Sequence, residues 1–117
     1  MTDEDFDVQG FARGINELLI LSTLREGAKH GYQIAIDVEE GSNGLFRFRH
    51  GTLYPILHRL EEAGHIQGSW SRVEGRRRKV YALTRRGARH LAGGSDRVDV
   101  VLRGLMSMLE GPGEVLP

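Results

Sequence analysis

The sequence contains no cysteine. Disulfide scaffolds, thiolate zinc sites, iron–sulfur clusters and cysteine nucleophiles are therefore excluded together, and the composition fits a reducing compartment. Long apolar runs are missing too. The longest, Leu18 to Leu21, is far short of the roughly 20 residues that cross a bilayer, so no membrane partner is expected. The chain opens on acidic residues (Asp3, Glu4, Asp5, Asp7) instead of a basic then apolar stretch, so no secretory leader is expected and the predicted location is cytoplasmic. The five histidines, at 30, 50, 58, 65 and 90, form no close pair at helical ligand spacing beside a carboxylate cluster. Neither a metal nor another cofactor is expected. No Gly-x-Ser-x-Gly elbow occurs either, which leaves a small hydrolase without its nucleophile and base, and the chain is read as no enzyme.

What is present is an ordinary soluble composition, 39% hydrophobic and 27% charged over 117 residues, with room for one compact domain. Lys and Arg total 16 and Asp and Glu 16, but the charge is segregated. Between Arg72 and His90 stand eight basic residues (Arg72, Arg76, Arg77, Arg78, Lys79, Arg85, Arg86, Arg89) against Glu74 alone. A local positive field acts on a partner within about a Debye length whatever the total charge, so the expected partner is a polyanion.

Residues 1–11 are polar, acidic and aperiodic, and are expected to form a flexible arm. From about Ala12 to Glu26 the residues Ile15, Leu18, Leu19, Leu21 and Leu24 recur at helical spacing, with Gly27 as the stop. A second helix is predicted from about Gly31 to Glu40, with Tyr32, Ala35, Ile36 and Val38 inward and Gly41 to Gly44 ending it. Leu45, Phe46 and Phe48 suggest a brief strand. The clearest amphipathic pattern follows, with Leu53, Ile56, Leu57, Leu60 and Ala63 in the helix that begins near His50 and closes at Gly64. Its outer residues are Thr52, Tyr54, His58, Arg59, Glu61 and Glu62, and Pro55 is expected near its start, where a missing N–H costs least. Ile66 to Val73 and Lys79 to Leu83 alternate as strands around a Glu74-Gly75 turn, with Arg76, Arg77 and Arg78 at or beside the tip. Thr84 can cap a last helix from Arg85, along which Val98, Leu102, Leu105 and Leu109 make a seam. Gly93 and Gly94 are expected to kink or break that helix, and Gly111-Pro112-Gly113 to end it.

Three helices followed by a basic hairpin have the order of a winged helix-turn-helix, in which the third helix enters the DNA major groove and the hairpin touches flanking backbone. The sequence here resembles the PadR family of bacterial transcriptional regulators. The resemblance rests on Gly31-Tyr32, on the run from Gly51-Thr52-Leu53-Tyr54-Pro55 through Ile56-Leu57-His58-Arg59-Leu60-Glu61, and on Gly64 and Trp70. Arg78-Lys79-Val80-Tyr81-Ala82-Leu83-Thr84 with Gly87 completes it. It implies a dimeric DNA-binding repressor, in the short form that ends in a single dimerisation helix. The fold class expected is mainly α with a small β-ribbon (α+β): a winged helix-turn-helix over residues 12–84, a dimerisation helix over 85–110 and a tail over 111–117. The residues expected at DNA are Tyr32, Gly51, Thr52, Tyr54, Pro55, His58 and Arg59 from the helices, with Arg76, Arg77, Arg78 and Lys79 as the wing. Those expected at the dimer interface are Leu91, Val98, Val101, Leu102, Leu105, Met106 and Leu109.

Individual residues carry competing readings. Consecutive arginines at a hairpin tip repel one another without an anion, which favours phosphate binding over a merely solvated turn. Arg59 is open to base readout or to pairing with Glu61 or Glu62. Trp70 and Tyr81 are expected to fill core, as isolated strand aromatics usually do. The apolar last helix, with Met108 beside its seam, exceeds what one small domain needs and predicts a homodimer, which pairs with inverted-repeat operators. Met106 and Met108 could also line a pocket for a small hydrophobic effector that releases the DNA. A winged helix that docks on an acidic protein surface without binding double-stranded DNA is the alternative function.

Overall fold

The computed structural model describes residues 7–112, apart from the side chain of Val73. The Asp7 carboxylate accepts the Gly10 N–H at 2.9 Å and so starts helix α1, Val8–Thr23. The helix thus begins inside the expected arm, of which residues 1–6 lie outside the described residues, as do 113–117 of the tail. After α1 come strand β1 (Lys29–His30), helices α2 (Gly31–Gly41) and α3 (His50–Glu62), strands β2 (Ile66–Val73) and β3 (Arg76–Leu83), and helix α4 (Arg85–Glu110). The expected winged helix-turn-helix with a trailing helix is the fold observed.

The sheet is antiparallel in the order β1-β3-β2, so β3 is its middle strand. Its free edge is taken by Lys29 and His30, which pair with Tyr81 and Val80. The third strand is therefore not Leu45 to Phe48. Asn43 and Gly44, both at positive φ, turn the chain out of α2, and Phe46 and Phe48 pack on the core as half-buried loop anchors. With β3 already paired on both sides, that segment has no place beside the middle strand.

The apolar stripe of α3 is buried as its spacing predicts: Leu53, Ile56, Leu57 and Leu60 meet Ile20 and Leu21 of α1 and Ile34 of α2. In α2 the inward pair is Ile34 and Val38, and Tyr32, expected inward, is 59% exposed. A helix this short with apolar residues on several sides does not define its own inner face.

Thr84 caps α4 by accepting the Gly87 N–H at 2.9 Å, while its hydroxyl donates to the Gly64 carbonyl at 2.6 Å. The helix then runs through Gly93 and Gly94 without a break. Gly94 is buried because Leu18 of α1 seats where a Cβ would stand, so the glycine serves helix packing and the tertiary contact offsets its poor helix propensity. Leu91 is 5% exposed within the same core. It holds α4 to its own head and is unavailable to a partner, contrary to expectation. Beyond Val101 the helix leaves the head, and the molecule measures 69 Å along its longest axis. Among the described residues, no helix is long and apolar enough to cross a membrane.

Candidate nucleic-acid interface

The wing is built by a two-residue hairpin. Glu74 and Gly75 have φ of 52° and 78°, the double positive φ of a type I′ turn, which matches the twist of its flanking strands. This short turn fixes the register, placing Arg72 opposite Arg77 and Val73 opposite Arg76. Like charges directly opposite one another cost stability, and among the described residues Arg72, Arg76 and Arg77 have no ion pair. The wing is a concentration of unmatched positive charge.

Its remaining cations are held differently. Lys79 donates to Glu61 of α3 at 3.1 Å, while the other oxygen of that carboxylate accepts the Gly68 N–H at 3.2 Å. That bridge ties the wing to α3, and it occupies the lysine expected at DNA. Arg78 is half-buried, with its guanidinium 3.2 Å from His30 Nε2. Arg77 lies over Trp70, 4.5 Å from the ring centroid, in cation–π geometry. Trp70 is 58% exposed, so it does not fill core as expected. Trp70 stands opposite Lys79 on the face that also carries Tyr81, but nearer the hairpin tip, where less of the molecule covers the ribbon. Tyr81 is buried as expected, and burial raises the pKa of its phenol, so it stays neutral.

The outer side of α3 divides by helical spacing. Tyr54 and Glu61, seven residues apart, lie on the flank toward the wing. Thr52 and Arg59, also seven apart, lie on the opposite flank, where Arg59 approaches Glu17 of α1 at 3.9 Å in place of Glu61 or Glu62. Gly51, Pro55 and His58 point outward between them, all exposed, and His58 pairs with Glu62 at 3.3 Å. Pro55 is farther into the helix than expected, and the carbonyl it leaves without an N–H partner belongs to exposed Gly51, where water can serve it. The Tyr54 ring packs on Gly31, whose hypothetical Cβ would sit 2.7 Å from the phenol oxygen. That contact sets α2 against α3, and it explains a glycine at the start of α2.

These elements converge on one cleft of about 490 Å³, lined by His30, Gly31, Tyr32, Tyr54, Trp70, Arg78, Lys79 and Tyr81. The open wing and the outer flank of α3 thus share a face. His30 was not legible as a site residue. Its role depends on capping α2, where Nδ1 accepts the Gln33 N–H at 3.3 Å, and on the sheet register that brings Arg78 beside it.

The sequence model of the transcriptional regulator PadR-like family matches residues 20–93. The chain belongs to this family. A relative, transcriptional regulator Rv3488 of Mycobacterium tuberculosis, is 38% identical over 63% of this chain and 66% of its own length. The PadR family regulator of Eggerthella lenta has a solved structure that superposes with a TM-score of 0.73 at 30% identity, covering 88% of each chain. Bacillus subtilis PadR, solved in complex with operator DNA, superposes with a TM-score of 0.62 at 28% identity, over 68% of this chain and 45% of the longer one. The PadR-like match includes all of α2, α3 and the wing and stops at residue 93, so the outer half of α4 lies beyond it.

Proposed function

We propose that this PadR-like regulator is a homodimeric, sequence-specific DNA-binding repressor. The observation that carries the reading is the shared cleft, where Arg78 and Lys79 of the wing meet Tyr54 of α3, below a hairpin tip whose Arg76 and Arg77 have no ion pair among the described residues. The operator complex of Bacillus subtilis PadR supports it. Arg76, Arg77 and Arg78 displace condensed counterions from the backbone and supply affinity. Gly51, Thr52, Tyr54, Pro55 and His58 enter the major groove and select sequence, with Tyr32 at the flanking backbone. Arg59 reaches the groove only by leaving Glu17, a weak exposed pairing that gives it up at little cost.

Dimerisation uses the part of α4 that its own head covers only partly, at Val98 and Val101, or leaves open beyond them. Val98, Val101, Leu102, Leu105, Met106 and Leu109 continue along it, with Leu109 79% exposed. A twofold pair of such helices sets two heads on half-sites about one helical turn apart. A cavity of about 240 Å³ between α1 and α4, lined by Phe11, Ile15, Leu18, Val98 and Val101 among others, offers a place for a small apolar effector. An effector there releases DNA by favouring a different spacing of the heads. The test is selection from random duplexes together with sedimentation of the free protein. An enriched inverted repeat and a dimer at micromolar concentration are expected. No enriched motif, or a monomer throughout, refutes the proposal.

A further inference from the structure

The cleft between wing and helices holds more aromatic surface than backbone binding uses. A duplex offers phosphates and sugar edges to such a surface, with its bases stacked away inside. Cations suffice for that contact. Here Tyr32, Tyr54 and Trp70 stand exposed around the cleft over the buried Tyr81, beside Arg78 and Lys79 and with no acidic residue among the lining side chains. Stacking platforms combined with cations suit a single unstacked base that carries a phosphate.

His30 sharpens the case. Its Nδ1 accepts the Gln33 N–H at the start of α2. Its Nε2 stands 3.2 Å from the Arg78 guanidinium. Arg78 has further N–H groups beyond the one at the imidazole and no carboxylate partner among the described residues. An anionic oxygen beside it would accept from them, and the amino end of α2 adds a favourable partial charge. Trp70 has Arg77 on one face and contributes to the cleft wall, which gives a base its platform.

We propose that this cleft binds one mononucleotide, with its phosphate held by Arg78 beside His30 and its base stacked on Trp70, and that occupancy excludes duplex DNA. The volume falls in the roughly 300–1,000 Å³ range of small-molecule sites, enough for one nucleotide. The site stands on the cleft alone, and only the exclusion of duplex rests on the DNA-binding reading.

Trp70 is the sole tryptophan, so its indole N–H gives a single assignable NMR signal. In the full chain, adenosine monophosphate should move that signal saturably, with a midpoint at least tenfold below those of adenosine and inorganic phosphate. Arg78→Ala should raise the midpoint at least tenfold while the remaining spectrum and the thermal midpoint stay in place. Tyr32→Leu should raise it severalfold, through lost stacking. Equal midpoints for the nucleotide and phosphate would leave only an anion site, and equal midpoints for the nucleotide and adenosine only an aromatic patch. Either result, or an immobile signal, overturns the proposal. A single-stranded hexanucleotide binding more than tenfold tighter than the monophosphate would make the cleft part of a strand groove and overturn it as well.

Duplex titrations with and without the monophosphate separate the two readings. Nucleotide binding without any duplex binding refutes the DNA reading and leaves the site standing. Duplex binding with an unmoved Trp70 signal refutes the site alone. Simultaneous binding of both refutes their exclusion.

Discussion

Replacing Arg76, Arg77 and Arg78 together with alanine should change the salt dependence of DNA binding by an amount the structure fixes. Arg76 and Arg77 are exposed and without ion pairs among the described residues, and Arg78 faces only a histidine. Lys79 is committed to Glu61 and is left out of the count. Two wings then neutralise about six phosphates, and at ~0.9 per phosphate they contribute about −5 to the slope of log affinity against log salt. A slope of about −5 is close to a thousandfold in affinity between ~50 and ~200 mM salt, so the effect is large enough to measure. Fluorescence anisotropy with a selected operator at four salt concentrations reads it directly. The triple variant should bind with a slope flatter by about 5, whereas Lys79→Ala should flatten it by less than about 2. Arg76 and Arg77 are exposed and Arg78 is half-buried with no carboxylate partner among the described residues, so the thermal midpoint of the triple variant should stay in place, and measuring it separates a loss of binding from a loss of fold. A slope that changes by less than about 2 in the triple variant refutes the wing as the source of affinity.

Three further outcomes follow from burial and charge. Leu91→Ala should destabilise the monomer fold by about 2–4 kcal/mol in denaturant unfolding without altering the dimer contact itself, because Leu91 is a core residue. Leu105→Glu should do the reverse: a 53% exposed site tolerates the charge in the monomer, and sedimentation should show dissociation with the helical content of the head retained. The His65 ring stacks on His90 with centroids 4.2 Å apart, and its pKa is lowered by burial first, then by His90 and Arg86, against an opposing pull from Glu17. Because the folded value lies below the unfolded one, the unfolded chain takes up the proton first. Stability should be full above about pH 6.5 and fall as the pH drops through the window below it. His65→Phe, which keeps the stacking without the charge, should flatten that fall in urea titrations. An unchanged pH profile in this variant would remove His65 as its source.

The parts of this molecule that were legible in its sequence are those decided by local chemistry. Leu53, Ile56, Leu57 and Leu60 form a stripe that only one face of a helix can bury, Thr84 supplies a cap, and Glu74-Gly75 admits a tight hairpin. The errors fall where local pattern is indifferent between two tertiary outcomes. The seam of α4 reads as continuous, yet Leu91 belongs to the head and Leu105 to the open surface. What divides them is the length of α1, which supplies Leu18 against Gly94 and Phe11 and Ile15 beside Val98 and Val101, then begins at Val8 with no further turns to cover the rest.

Trp70 shows the same indifference in the sheet. Strand alternation puts it on one side with Arg72, but not how far along the ribbon that side is covered; α3 meets it at Lys79 through Glu61, and Trp70 opposite stays exposed. The cleft was harder still, since its walls come from residues 30 to 32, 54, 70 and 78 to 81, and no spacing rule connects them. Its chemistry arises from that assembly: a capping histidine and a wing arginine, each unremarkable alone, are brought within 3.2 Å of one another once β3 pairs with β1. A face that binds a duplex through charge can therefore present a small-molecule site as well, and because both would draw on Arg78, occupancy by one excludes the other.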